Sequence, residues 1–394
     1  MRIAGLFAGV GGLDLGLAGA GHEPAILCEC WEPAQAVLRA RFHDVSIHSD
    51  VRTLASLPTG IDVVSAGFPC QDLSQAGNTA GIDGARSGLV NHVFRLIDRS
   101  RPPWVLIENV SFMLALERGA AMRRLVQAFE DRGYVWAYRV VNSRAYLPQR
   151  RERVYMLASR CCDPADVLFV DEQLPPPCRT ALDTHAHGFY WTEGVRGLGW
   201  AEDAIPTLKN GSTIGIPSPP AILLPSGKII TPDIRDAERL QGLPENWTEP
   251  AEAVARPSSR WTLVGNAVTV DVANWIGNRL SMPGQFDRSR TRALPSNGRW
   301  PRAARGDGRE RVMVEVTDYP EWRAREPLHQ FLDHGGRPLS LRAATGFRSR
   351  TKRSRLRFPQ GFLAVLDGYI DQIECGSLSS LPAPSSAPTP MVAA

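Results

Sequence analysis

Short apolar runs alternate with amphipathic stretches from residue 1 to about residue 157. The alternation predicts strands at 2–7, 25–28, 63–67, 104–108, 135–141 and 153–157. Leu, Val, Ala and Phe recur at helical spacing over 34–42 and 122–132. Strands separated by helices predict an α/β fold, with parallel strands and crossover helices as the default topology. From 159 to about 258 the pattern dissolves into Pro-, Gly- and Thr-rich sequence, including Pro175-Pro176-Pro177 and Pro217-Ser218-Pro219-Pro220, which predicts a loop-rich second domain. An apolar strand-helix pattern returns over 261–280 and would pack back on the first domain. The expected division is 1–158, 159–258, a return to the first domain at 259–281, a basic extension or small subdomain at 282–376, and a Pro-, Ser- and Ala-rich disordered tail at 377–394.

At 394 residues the chain exceeds the size at which one core keeps growing, which agrees with two domains. With 43% apolar and 22% charged residues it can bury a sizeable core. No stretch reads as a membrane span or secretory signal, and residues 1–3 run straight into the first predicted strand, so a soluble cytoplasmic protein is expected. Cysteines at 28, 30, 70, 161, 162, 178 and 375 are an odd, scattered set without zinc-ribbon spacing, so neither a disulfide framework nor a structural metal is expected. The net charge of +4 hides an asymmetry, because residues 281–360 hold 18 Lys or Arg against 8 Asp or Glu. That excess suits either a polyanionic partner or a solvated basic surface.

Candidate chemistry sits at the ends of the predicted strands. Cys70 in Gly67-Phe68-Pro69-Cys70-Gln71 falls on the turn after an apolar run. Strand carboxyl ends are where open α/β sheets bind ligands, so a nucleophile competes there with a buried structural thiol. Phe7-Ala8-Gly9-Val10-Gly11-Gly12 is a glycine turn between a strand and a helix, compatible with a nicotinamide enzyme, a flavoenzyme, an S-adenosylmethionine enzyme or a plain tight turn. About twenty residues on, Glu29 ends the next strand, where a carboxylate can accept from both ribose hydroxyls. Glu108 directly follows four apolar residues, where burial would favour its neutral, proton-donating form, or where it caps the next turn. Arg151 and Arg153 alternate onto one strand face and suit a carboxylate, a phosphate or a nucleobase edge, or else a surface salt-bridge cluster.

The order and spacing of these pieces resemble the DNA (cytosine-5)-methyltransferases of bacterial restriction-modification systems. Phe7 to Gly12 matches that family's first cofactor motif, Glu29 the ribose position, Asp50-Val51 the adenine-contacting pair, and Pro69-Cys70 the catalytic loop. Arg86-Ser87-Gly88-Leu89, Glu108-Asn109-Val110 and Gln149 to Arg153 match the motifs that follow. The stretch from Arg235 to Pro244 is similar to the motif closing the target-recognition domain, and Gly265-Asn266-Ala267-Val268 to the last cofactor motif.

The resemblance implies a Rossmann-like methyltransferase domain with a mixed, mostly parallel sheet, a smaller target-recognition domain at 159–258, and a basic C-terminal extension. It implies S-adenosylmethionine, Cys70 attacking carbon 6 of a flipped cytosine in double-stranded DNA, Glu108 serving N3, Arg153 serving O2, and Arg151 supporting them. Phe7, Ala8, Gly9, Val10, Gly11, Gly12, Glu29, Cys30, Asp50, Val51, Pro69, Leu89, Asn266 and Ala267 would hold the cofactor. Gln71, Ser74, Arg86, Lys209, Asn210 and Arg235 would meet DNA, with a loop at 71–84 closing over the flipped base and the basic run 348–357 gripping phosphates or facing solvent. A monomer is expected, with no stable complex with a cognate endonuclease. Gly5 and Cys30 depart from the family pattern, where an acidic and a large apolar residue are common. A nicotinamide oxidoreductase would leave Cys70, Glu108 and Arg153 without a joint role, a silent DNA-binding relative would not need all three, and Gln71 after the Pro-Cys pair favours DNA over RNA.

Overall fold

The computed structural model describes residues 1–68, 88–175, 177, 179–209, 219–295 and 298–376. Pro69, Cys70, Gln71, Ser74, Arg86 and Asn210, the expected closing loop and the expected tail lie outside the described residues. Among the described residues, a ten-stranded sheet runs β14-β16-β15-β6-β8-β5-β4-β1-β2-β3. Its first half comprises β1 (Arg2–Leu6), β2 (Glu23–Cys28), β3 (Ser46–His48), β4 (Val63–Ala66) and β5 (Trp104–Val110), all parallel. Successive residues of these strands feed opposite faces. Ile3, Val63 and Leu106 join one apolar cluster, while Ala4, Val64 and Val105 join the other. Both faces are covered, which is why the sequence shows continuous apolar runs rather than apolar-polar alternation.

The strand order reverses direction between β1 and β4, so the chain leaves those two strands toward opposite edges and opens a crevice at their carboxyl ends. The helix Gly12–Gly19 lies beside this crevice and packs on the helix Val270–Ser281. A Cβ on Gly16 would stand 2.3 Å from Val270 O, so glycine there is what lets the two helices touch. Residues 259–281, expected as strand then helix, form two helices, Ser259–Asn266 and Val270–Ser281. A short apolar run does not separate the two possibilities.

Beyond β5 the sheet departs from the parallel default. β8 (Glu152–Ser159) inserts between β5 and β6 (Val135–Asn142) and is antiparallel to both. Only about ten residues join β6 to β8, too few for a parallel crossover, so the reversal is forced. Residues 282–376, expected as an extension of their own, are shared between two sheets. β14 (Thr291–Ala293), β15 (Ala303–Gly306) and β16 (Arg311–Val314) continue the main sheet antiparallel, with β15 on β6.

The remainder joins a five-stranded sheet ordered β10-β9-β12-β13-β17. Its strands are β9 (His187–Phe189), β10 (Ala201–Glu202), β12 (Ala221–Leu223), β13 (Ile229–Thr231) and β17 (Arg337–Pro338). The helices Leu341–Lys352 and Phe362–Glu374 cover it, burying Phe189 against Phe347 and Phe362 at ring separations of 5.3 and 5.1 Å. The short strands β7 (Gln149–Arg150) and β11 (Ile205–Pro206) pair with each other and connect the two bodies. No helix among the described residues is long and apolar enough to cross a membrane.

Phe362 is fully buried at the centre of this second core. Phe362→Ala is expected to cost about 3–5 kcal/mol, read as a lowered urea midpoint.

Candidate active site

The chain leaves β1 through a turn that demands glycine. Phe7, Gly9 and Gly11 have φ of 56°, 57° and 81°, and a Cβ on Gly12 would stand 2.6 Å from Val268 O. Gly9 N donates to Glu29 Oε2 at 2.9 Å and Trp31 N to Glu29 Oε1 at 2.8 Å. The Glu29 carboxylate is thereby fixed beside the turn. Phe7, Gly9, Val10, Glu29, Cys30, Leu89 and Asn266 line a cavity of about 470 Å³. Ala8 and Ala267 line an adjoining recess of about 40 Å³. Asp50 and Val51 do not line the cavity. Arg52 binds the Asp50 carboxylate and lowers its pKa, while Val51 is buried and its carbonyl accepts from Arg95.

The same cavity is lined by Glu108, Arg151 and Arg153. Glu108 sits near the end of β5, which pairs antiparallel with β8, so the carboxylate and Arg153 approach across adjacent strands. Arg153 Nε lies 3.2 Å from Glu108 Oε1, yet outside hydrogen-bond geometry, and Oε1 has no hydrogen-bond partner among the described residues. Burial raises the Glu108 pKa, and the charges of Arg153 and then Arg151 pull it back only in part. The acid is therefore biased toward its protonated form.

Arg151 is more deeply committed. Its Nη1 donates to Leu208 O and Gly265 O, both at 3.3 Å, and its Nη2 to Ala267 O at 2.7 Å. Burial, and secondarily the charge of Arg153, push its pKa down to about 9, which leaves it cationic at neutral pH. Arg151 thus braces the walls of the site, while Arg153 faces its acid. Gln149 does similar work, donating to Leu240 O and accepting from Leu208 N.

Several lining residues were absent from the sequence-predicted set, and three of them bear on the chemistry. Asn109 Nδ2 donates to Phe68 O at 2.9 Å, pinning the exit of β4 two residues before Cys70. Its place in Glu108-Asn109-Val110 was the available signal. Trp31 lines the cavity and stays 36% exposed, an aromatic that its distance from Glu29 could have flagged. Asp14 lines the small recess and left no signal in its apolar helix.

The sequence-predicted DNA contacts fare differently. Lys209 Nζ lies 2.8 Å from Glu193 Oε1 and 3.7 Å from the centroid of the Tyr190 ring. Arg235 bonds Asp233 at the start of its helix. In the basic run, Arg348 holds Asp367, and Arg350 donates to Trp191 O and Glu193 O. Arg353, Arg355 and Arg357 are exposed, and among the described residues their side chains make no hydrogen bond or ion pair.

Comparison with known proteins bears on this geometry. Residues 1–177 match the model of the C-5 cytosine-specific DNA methylase family. The chain is 46% identical to Type II methyltransferase M2.BsuMI of Bacillus subtilis over 387 residues, 94% of this chain and 99% of that protein. It is 35% identical to Type II methyltransferase M.NgoPII of Neisseria gonorrhoeae over 164 residues, 41% of this chain and 48% of that one. In fold it is similar to the Dnmt2 methyltransferase of S. pombe, with a TM-score of 0.52 at 17% identity, covering 71% of this chain and 98% of that one.

A raised Glu108 pKa has a linkage consequence. The folded state holds this proton more tightly than the unfolded chain, whose value is 4.5, so stability from this group is present below that pH and is lost as pH rises through the folded pKa. Glu108→Gln is expected to raise the urea midpoint at pH 8, with the gain shrinking as pH falls toward 4.5; a gain that grew on acidification would contradict the assignment.

Proposed function

The chain belongs to the C-5 cytosine-specific DNA methylase family, a family of S-adenosylmethionine-dependent DNA methyltransferases, and from that premise we propose that it methylates carbon 5 of a flipped cytosine in double-stranded DNA through a covalent Cys70 intermediate. The observation that carries this reading is one cavity with two halves. A glycine turn with a fixed carboxylate forms one side, and a buried acid beside a guanidinium forms the other. Such a cavity serves a nucleoside cofactor and a polar aromatic ring together.

The residues fit S-adenosylmethionine. Glu29 presents a carboxylate already held by two backbone N–H groups, leaving lone pairs for ribose hydroxyls, and the turn has no room for side chains at Gly11 or Gly12. When bound there, the cofactor supplies a methyl group activated by a positive sulfur. Phe7, Trp31 and Leu89 provide the apolar wall.

Carbon 5 of cytosine is a poor nucleophile until the ring loses its aromaticity. In the proposed sequence the Cys70 thiolate forms a bond to carbon 6, and the ring π electrons move toward carbon 5 and N3. Glu108 gives its proton to N3, for which a buried, protonated acid is suited, and Arg153 donates to O2 as charge develops there. As carbon 5 bonds the methyl carbon, the methyl–sulfur bond would break with its electron pair left on sulfur; a base then takes the carbon 5 proton, the carbon 6–sulfur bond breaks to restore the thiolate, and N3 returns its proton to Glu108. Both ring faces are hidden in stacked duplex DNA, so the base must leave the stack.

Sequence choice is assigned to residues 159–258 together with the helices of 341–374 that complete their sheet. A role as the modification partner of an endonuclease, acting as a monomer without a stable complex with it, completes the proposal.

Two experiments test it. Cys70→Ser is expected to abolish methyl transfer to DNA while leaving S-adenosylhomocysteine binding intact, and the parent protein to become trapped on 5-fluorocytosine DNA, where the final proton cannot leave. Methylation by Cys70→Ser at near-parental rates would sink the covalent route. Separately, replacing Arg353, Arg355 and Arg357 with Gln is expected to reduce the slope of log K against log salt by up to about 3 without changing the methylated sequence, as found by bisulfite sequencing.

A further inference from the structure

Asp14 is a carboxylate that the mechanism above does not use. It lies in the first turn of the helix Gly12–Gly19 and is 1% exposed. Its Oδ1 is 3.4 Å from Ser65 Oγ, and its Oδ2 has no hydrogen-bond partner among the described residues. A buried carboxylate so weakly partnered is costly to ionise. Burial pushes its pKa up to about 7, against the pull of its own backbone and of Ser65.

The fold makes room for it at one position. A Cβ on Gly5 would stand 2.3 Å from Asp14 Oδ1 and 2.9 Å from its Cγ, so the carboxylate fills space that the glycine in β1 leaves open. Gly5 pairs in register with Ser65 of β4, which places the carboxylate over the reversal point of the sheet. Asp14 and Ser65 line the recess of about 40 Å³, and Gly9, Gly67 and Glu108 line both this recess and the larger cavity. A space of that size holds a few water molecules or a head as small as an ammonium group. The space suits a small cationic head, not a ring or a sulfonium with its substituents.

We propose that Asp14 is the counter-ion of the cofactor's α-ammonium, delivered from the helix into space reserved by Gly5. This rests on the reading of the large cavity as a nucleoside-cofactor site. Glu29 fixes the nucleoside end beside the glycine turn, and the recess behind that turn receives the amino-acid end. Three ammonium N–H groups find the Asp14 carboxylate and Ser65 Oγ as acceptors, and the charge left unpaired on folding gains its partner on binding. Asp14 is here a binding residue that sets affinity for one end of the cofactor.

The test compares two ligands by calorimetry at pH 8. S-Adenosylhomocysteine carries the amino-acid end, whereas 5′-methylthioadenosine keeps the nucleoside and thioether without it. Asp14→Asn, nearly isosteric, is expected to weaken S-adenosylhomocysteine about tenfold or more and 5′-methylthioadenosine less than about twofold. Gly5→Asp combined with Asp14→Ala issues the carboxylate from the strand into the same space, and is expected to bind S-adenosylhomocysteine at least about fivefold more tightly than Asp14→Ala alone. Equal weakening of both ligands by Asp14→Asn, or unchanged S-adenosylhomocysteine binding, overturns the assignment. If the parent protein binds neither ligand, the cofactor reading itself fails, and the counter-ion assignment falls with it.

Discussion

The buried guanidinium of Arg151 ties the junction of β7 and β8 to two other pieces of chain. Its bonds reach Leu208 O in the segment leading from the second sheet, and Gly265 O and Ala267 O in the turn between the returning helices. A planar group with donors in fixed directions is suited to joining three carbonyls. Remove the charge, and three buried acceptors lose their donor together. Asn266 is presented to the cavity between two of its acceptors.

Two carboxylates share the cavity and are set to opposite tasks by their surroundings. Glu29 is met by two backbone N–H groups, which hold its carboxylate in place beside the glycine turn. Glu108 is buried and, among the described residues, lacks a hydrogen bond to Oε1, which favours its neutral form. In the proposed reaction one of these groups would bind hydroxyls while the other donates a proton. The charge of Arg153 offsets part of the rise that burial gives the Glu108 pKa.

What the sequence revealed followed from local physics. Runs such as Val63–Ala66 and Trp104–Val110 are apolar without interruption because both faces of the parallel half are covered, so strand existence was legible. The helices Glu32–Arg41 and Ala120–Glu130 begin two residues before the apolar periodicity suggested. Long-range pairings were not legible. Ala303–Gly306 has a weak strand composition, and only the exposed edge of β6 decides that it becomes one. The site was readable where motif residues sit on strand ends, as with Glu108 and Arg153. It was not readable at Asp14, a lone acid among Gly and Leu, whose environment is made by Gly5 and Ser65 from two strands. Lys209 and Arg235 looked like free cations because sequence does not show the neighbouring carboxylates that occupy them.

The chain passes between the two sheets repeatedly, and its return through β15 has a bearing on solubility. Without residues 291–314, β6 would end the large sheet with a row of unpaired N–H and C=O groups flanked by Trp136 and Tyr138. A flat, aromatic border of that kind recruits strands from other molecules. The late segment therefore works as a selvedge: it closes the sheet's raw edge with a strand carrying Arg305, whose charge is held by Asp163, and the last strand it adds, β14, is short and carries the charged side chain of Arg292, paired with Glu315.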